Sequence, residues 1–289
     1  MVEIVETPRD AMQGIKQFIP TKSKAGYINT LLKVGFDIID VGSFVSPAAI
    51  PQLRDTAEVL DMLDMSGSDS KLLVITANVR GAEKAVMFDK ITYLGYPHST
   101  SDTFLQKNIN ASLSKSRETI RRLTEICDRK GKQLSVYFSM ALGNPYSEEW
   151  NTGQLITEAG LMREMGIRRI VISDTIGAGT PGTIKEVFKS LVPEFPGIRF
   201  GLHLHSTLDK WYEKIDAAYR QGCRSFEGVL NGLGGCPMAG HELVGNIRTG
   251  LLLEYFEKNN IPLNIHKAAF ENAVTKSITT FALLKFKKT

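Results

Sequence analysis

Residues 168–205 read RRIVISDTIGAGTPGTIKEVFKSLVPEFPGIRFGLHLH, a strand, a helix and a second strand in one stretch. Arg168–Asp174 is a short apolar run rich in β-branched residues, and Ile198–His205 is another. Between them Pro181–Leu191 has helical periodicity and opens on a proline, which a first helical turn accepts because the missing N–H has no intrahelical partner there. Working outward, β-rich runs recur at Val2–Val5, Phe36–Val41, Lys71–Asn78, Lys90–Leu94, Gln133–Ser139 and Arg224–Leu230. Helical patterns lie between many of them, at Lys22–Val34, Ser101–Lys130, Gly153–Met165 and Leu208–Gln221. Eight strands alternating with helices predict a (β/α)8 TIM barrel. A doubly wound open sheet is the runner-up, disfavoured because the Gly-rich segment GLGGCPMAG (232–240) follows the eighth strand and not the first, where a dinucleotide fingerprint belongs. Glu242–Lys258 and Ile265–Lys285 read as helices that close the barrel and extend it. The expectation is a single catalytic domain over residues 1–289 with a helical addition from about residue 259.

A barrel of this kind places its chemistry at the C-terminal ends of the strands and in the loops that follow. Arg9 and Asp10 follow the first strand, Asp40 ends the second, Asn78 the third and Asp174 the sixth. His203 and His205 end the seventh, and residues 231–246 follow the eighth. Taken singly, an Asp or Asn at such a place reads equally well as a helix cap or turn residue. Alternate strand residues share a face, so both histidines are able to converge on one metal ion, although a hydrogen-bonded structural pair is the commoner role for such an isolated pattern.

Composition narrows the function classes. The 289 residues are 43% hydrophobic and 23% charged, enough to bury a large core. The net charge of +4 is mild, basic and acidic residues are interspersed, and neither an arginine-rich arm nor a stacked aromatic set suggests a nucleic-acid partner. Three cysteines, Cys127, Cys223 and Cys236, are an odd number without zinc spacing, so a reducing, cytoplasmic setting is expected. The sequence begins directly in a strand without a signal-like segment, and no apolar run approaches bilayer length, so neither export nor membrane insertion is expected.

The segments VEIVETPRDAMQ (2–13), DVGSFVSPAAIPQLRDTAEVL (40–60), SDTIGAGTPG (173–182), GLHLHS (201–206) and GLGGCPMAG (232–240) resemble the 3-hydroxy-3-methylglutaryl-CoA lyases. These belong to a superfamily of metal-dependent lyases and Claisen-condensing barrels. The RD pair, the HxH pair and a later Asn are shared across that superfamily, whereas SFVSP and GLGGCP discriminate more narrowly. The resemblance implies cleavage of an acyl-CoA substrate, 3-hydroxy-3-methylglutaryl-CoA, to acetoacetate and acetyl-CoA, and a homodimeric enzyme. This chain departs from the usual pattern in having Thr7 before Pro8, Ala11 after Asp10, Asp40 where Glu is common, Ser206 after the second histidine, and Gly250.

Under that resemblance Asp10, His203, His205 and Asn246 are the metal ligands. One carboxylate, two imidazoles and an amide oxygen, with no thiolate, suit an octahedral Mg²⁺ or Mn²⁺ with two positions open to substrate. Arg9 is the expected enolate stabiliser, Asp174 and Asp40 are the expected candidates for the base, and Cys236 is the expected proton donor. For Cys236 the competing role is that of a small buried hydrophobe, as for most free cysteines. Two other functions fit the same barrel: a related aldolase or condensing enzyme acting on a 2-oxo acid, and a non-catalytic barrel that only binds acyl-CoA.

Overall fold

Eight strands close on themselves: β1 (Glu3–Glu6), β2 (Ile38–Ser43), β3 (Lys71–Ile75), β4 (Ile91–Ser99), β5 (Gln133–Ser139), β6 (Arg169–Asp174), β7 (Arg199–Leu204) and β8 (Ser225–Gly228). The computed structural model describes residues 1–206, 209–234 and 244–282. Every neighbouring pair is parallel, and β1 pairs with β8 from Glu3 opposite Ser225 to Glu6 opposite Gly228. That last pairing makes the sheet a barrel and excludes the open doubly wound alternative. The helices are α1 (Pro8–Gln13), α2 (Thr21–Leu31), α3 (Thr56–Asp61), α4 (Val79–Ala85), α5 (Asp102–Ile109), α6 (Leu113–Arg129), α7 (Thr152–Glu164), α8 (Pro181–Glu194), α9 (Trp211–Arg220), α10 (Thr249–Lys258) and α11 (Lys267–Ala282).

Some local expectations are corrected. The pattern over Ser101–Lys130 is two helices, because Asn110 takes a left-handed conformation (φ 51°) that ends α5. Ser112 then caps α6 by accepting the Lys115 N–H at 3.2 Å. Strand β4 continues past Leu94 to Ser99. Asn78 is not on β3, which ends at Ile75; it caps α4, its Oδ1 accepting from the Gly81 N–H at 2.9 Å. The helix expected from Glu242 starts at Thr249, and Asn246 and Arg248 before it are extended bridge partners of His205 and Val229. Helix α9 starts at Trp211; Leu208, Glu242 and Lys285, expected helix ends, lie outside the described residues.

The barrel interior is layered. At the N-terminal end the buried Arg169 bonds Glu3 at 2.8 Å and Ser225 Oγ at 2.6 Å, with its guanidinium 5.6 Å from the Tyr93 ring centroid. Above this floor Val5, Ile38 and Leu73 pack with Ile75 and Tyr93 as an inner apolar layer. The alternate residues, such as Ile4, Ile39, Leu72 and Val74, face outward into the larger core beneath the helices. Among the outward residues His98 on β4, fully buried, meets Ser116 Oγ of α6 at 2.8 Å and Glu158 of α7 at 3.1 Å. Ser116 also bonds the Tyr96 hydroxyl and Glu158 is gripped by Arg117, so this Ser–His–Glu set pins two helices to the barrel and has no exposed face for a substrate. Among the described residues no helix is long and apolar enough to cross a membrane.

Glu6 ends β1 pointing outward, where its carboxylate accepts from the Leu230 N–H at 2.9 Å and the Thr249 hydroxyl at 2.5 Å. It therefore holds both ends of the segment between β8 and α10. Burial pushes Glu6 up to about 8 against those two hydrogen bonds. With a folded pKa raised above the ordinary value, the contribution is fully present at pH below 4.5 and is lost as pH rises towards 8, because only the unfolded chain ionises there. Glu6→Gln should flatten this part of the stability profile; urea melts between pH 5 and pH 9 compare the two slopes, and equal slopes would refute the assignment.

Candidate metal centre and active site

The C-terminal mouth of the barrel is polar where the middle is apolar. Pro8 opens the short helix α1 directly after β1, which turns the chain across the mouth and puts Asp10 over it. His203 ends the inward row of β7, and His205 follows two residues later on the same face. A carboxylate oxygen of Asp10 and one ring nitrogen from each histidine all lie within 4.8 Å of one another, and all three residues are buried. The two Nε2 atoms face each other at 3.1 Å.

Asn246 reaches this cluster by backbone zippering. Ser206 N–H donates to Gly245 O at 3.1 Å, Ile247 N–H to Leu204 O at 3.0 Å, and Val229 N–H to Ile247 O at 3.0 Å. The segment before α10 is thereby laid between the ends of β7 and β8, with Asn246 opposite His205. Asn246 Nδ2 donates to Asp10 Oδ2 and, at 2.8 Å, to Leu233 O, which leaves its Oδ1 out of both bonds. Gly234 makes the approach sterically feasible: at φ +94° a Cβ there would fall 2.7 Å from Asn246 Nδ2 and 2.9 Å from Asp10 Oδ2.

Arg9 is the hub on the other side. Its Nε and Nη2 bond Asp40 Oδ2 at 2.8 and 2.7 Å, and its Nη1 bonds Asp10 Oδ1 at 2.9 Å and Gln13 Oε1 at 2.8 Å. Gln13 closes the ring by donating to Asp10 Oδ1 at 2.6 Å. Burial opposes the Asp10 charge, but Arg9 first and then His203 outweigh it, with the Asn246 hydrogen bond, and hold the carboxyl below its ordinary range. Burial pushes Asp40 up to about 6 against the pull of Arg9, and its Oδ1 is buried without a hydrogen-bond partner.

Asp174 ends β6 apart from any arginine. Its Oδ1 accepts the Gly179 N–H at 3.0 Å, its Oδ2 is buried and unpartnered, and burial raises its pKa to about 6. A Cβ on Gly179 would come within 2.9 Å of that Oδ2. The structure thus brings Arg9, Asp10, Asp40, Asp174, His203, His205 and Asn246 to one mouth; Cys236 lies outside the described residues.

Sequence reasoning missed three residues of this network. Gln13 sits one helical turn after Asp10, a spacing that the unrecognised helix α1 would have exposed. Glu227 on β8 accepts from His203 Nδ1 at 2.8 Å, and its other oxygen accepts from the Tyr137 hydroxyl of β5 at 3.1 Å. A carboxylate inside the apolar run RSFEGVL was the available signal.

The donor set fits a divalent cation. Glu227 is acceptor-only, so His203 donates to it through Nδ1 and turns Nε2 on the cluster. Against burial, Glu227 and Asp10 raise the His203 pKa, and a divalent cation would take the place of the Nε2 proton. Burial and the neighbouring His203 push His205 down to about 4, so it is neutral and offers a lone pair. Two lone-pair nitrogens and a carboxylate oxygen turned on one point are mutually repulsive unless a proton or a cation lies between them, and nitrogen–oxygen sets of this size suit divalent ions.

The HMGL-like family model matches residues 2–274. The cytoplasmic 3-hydroxy-3-methylglutaryl-CoA lyase of Homo sapiens is 34% identical over 265 residues, covering 91% of this chain and 70% of the relative. A hydroxymethylglutaryl-CoA lyase of Bacillus subtilis is 30% identical over 261 residues, covering 89% of this chain and 85% of that one. The solved HMG-CoA lyase from Acinetobacter baumannii, in complex with coenzyme A and 3-methylmalate, superposes with a TM-score of 0.90 at 29% identity, covering 98% of this chain and 92% of that one.

Proposed function

Since the chain belongs to the HMGL-like family and is a lyase, we propose that its substrate is 3-hydroxy-3-methylglutaryl-CoA, cleaved to acetoacetate and acetyl-CoA. The observation that carries this reading is the convergence of Asp10, His203 and His205, with Arg9 bridging Asp10 and Asp40, at the catalytic end of the barrel. Asp10, His203, His205 and Asn246 would hold Mg²⁺ or Mn²⁺. Such an ion supplies Lewis acidity that lowers a hydroxyl pKa and orients the substrate.

Retro-Claisen cleavage needs a base for the tertiary hydroxyl, stabilisation of the departing thioester enolate, and a proton for its carbon. Asp174 is the base: each carboxylate keeps one unpartnered oxygen, but the other oxygen of Asp40 is tied doubly to Arg9, whose charge opposes proton uptake, whereas that of Asp174 meets the neutral Gly179 N–H. The hydroxyl proton passes to Asp174, the carbon–carbon bond breaks to release the acetoacetate ketone, and the bonding pair moves onto the thioester as an enolate. Arg9, held in place by Asp40, Asp10 and Gln13, presents a fixed positive charge to that enolate. Cys236, placed by the sequence in the Gly-rich segment after β8, gives the proton that completes acetyl-CoA.

Incubation with 3-hydroxy-3-methylglutaryl-CoA and detection of acetoacetate and acetyl-CoA, before and after chelation and with Mg²⁺ or Mn²⁺ restored, tests the reading. Turnover of a 2-oxo acid instead would replace it with the condensing alternative, and binding without turnover in the presence of metal would reduce the protein to an acyl-CoA-binding barrel.

Because Asp174 must be ionised to act and burial raises it to about 6, kcat/KM should fall about tenfold per pH unit below that value. Asp174→Asn should lower kcat by a factor on the order of 10²–10⁴. An Asp174→Asn enzyme that keeps normal turnover would transfer the base role to another group.

A further inference from the structure

Glu227 lies deep in the mouth of the barrel, is 2% exposed, and takes no part in the reaction steps proposed above. In the β7–β8 register it stands directly opposite His203. Its Oε2 accepts a hydrogen bond from His203 Nδ1 at 2.8 Å, and its Oε1 accepts one from the Tyr137 hydroxyl of β5 across the lumen at 3.1 Å. Both oxygens are therefore engaged from opposite sides, and the carboxylate cannot swing about its stem without breaking one bond.

We propose that Glu227 is the positioning residue of the metal site, acting with Tyr137 to lock His203 in the Nδ1–H tautomer so that its Nε2 lone pair faces Asp10 and His205. The proposal rests on the metal-binding part of the function above. A carboxylate only accepts, so it admits a single tautomer of its histidine partner, and its charge makes that imidazole a better electron donor to a divalent cation. Tyr137 supplies what a lone carboxylate lacks, a second anchor that fixes the direction of the first bond. A strap needed only for stability would require hydrogen bonds but neither the charge nor control of the tautomer.

Mn²⁺ binding to the purified protein, followed by electron paramagnetic resonance without substrate, and ¹⁵N NMR of the histidine rings in the metal-free state form the test. Glu227→Ala should weaken Mn²⁺ binding about 10–100-fold and release His203 into a mixture of tautomers. Glu227→Gln keeps an acceptor for Nδ1–H and loses the charge, so the tautomer should persist while affinity drops by less than in the alanine variant. Tyr137→Phe should weaken binding to a similar intermediate degree. Thermal melts accompany each variant. Lowered melting with Mn²⁺ affinity unchanged in the alanine and glutamine variants would make Glu227 merely structural and overturn the proposal; should the alanine variant not fold, the glutamine variant alone decides by the same criterion. Mn²⁺ binding by the unaltered protein without lyase turnover would refute the substrate reading and leave this one intact, whereas no Mn²⁺ binding by the unaltered protein would overturn it together with the metal site.

Discussion

His205→Ala is expected to lower kcat by a factor on the order of 10³ or more, since metal chemistry of this type supplies several kcal/mol of transition-state stabilisation. The imidazole is 4% exposed and neutral, its Nε2 is 3.1 Å from that of His203, and its strand neighbour across the bridge is Asn246. Alanine removes a ligand while leaving the backbone bridge in place, so the far-ultraviolet circular dichroism should match that of the unaltered protein. Mn²⁺ affinity should fall with the rate, and raising the metal concentration should recover only part of it. The alternative role, a histidine pair that merely hydrogen-bonds within the core, predicts a lowered melting temperature and normal metal-dependent turnover. Steady-state kinetics and Mn²⁺ titration on the same preparation separate the two, and normal chelator-sensitive activity would end the metal assignment for this residue.

Arg9→Lys is the second large effect. Arginine addresses Asp40 through two nitrogens and Asp10 and Gln13 through a third, and only a planar fork reaches all of these from one side chain. Lysine keeps a positive charge but loses the fork, leaving its ammonium to choose among these partners. The charge aimed at the developing enolate then moves, and kcat should fall about 10²–10³-fold, as for removal of one oxyanion donor. KM should change by only a few-fold, because this interaction strengthens in the transition state. A raised KM with kcat preserved would make Arg9 a substrate anchor. Loss of Mn²⁺ affinity equal to the loss in kcat would show instead that Arg9 acts by organising Asp10.

The eight strands were legible because a parallel barrel buries both faces of each strand, so each reads as a short apolar, β-branched run such as RRIVISD or VEIVE. The rim residues were legible for a related reason. Chemistry in a barrel sits where each run stops, so Arg9, Asp10, Asp40, Asp174 and the two histidines follow from locating the strand ends. Helix boundaries were less legible. A periodic count runs straight through Asn110, whose left-handed backbone is a single-residue event, and the extended stretch before Thr249 owes its shape to hydrogen bonds with β7 and β8.

What the sequence by itself determined is therefore the barrel, the rim on which the chemistry lies, and the residue types able to bind a divalent ion. What only the tertiary structure decided is who touches whom. Asp10 and Asn246 are 236 residues apart and Tyr137 and Glu227 are 90 apart, yet both pairs hydrogen-bond in the barrel mouth. The same closure separates the two carboxylates, giving one oxygen of Asp40 to the Arg9 guanidinium and one oxygen of Asp174 to the Gly179 N–H. The physical reason is that hydrophobic periodicity is a local property of the chain. Partner choice among buried polar groups is instead set when β1 meets β8 and every donor and acceptor withdrawn from water must find a counterpart across the lumen.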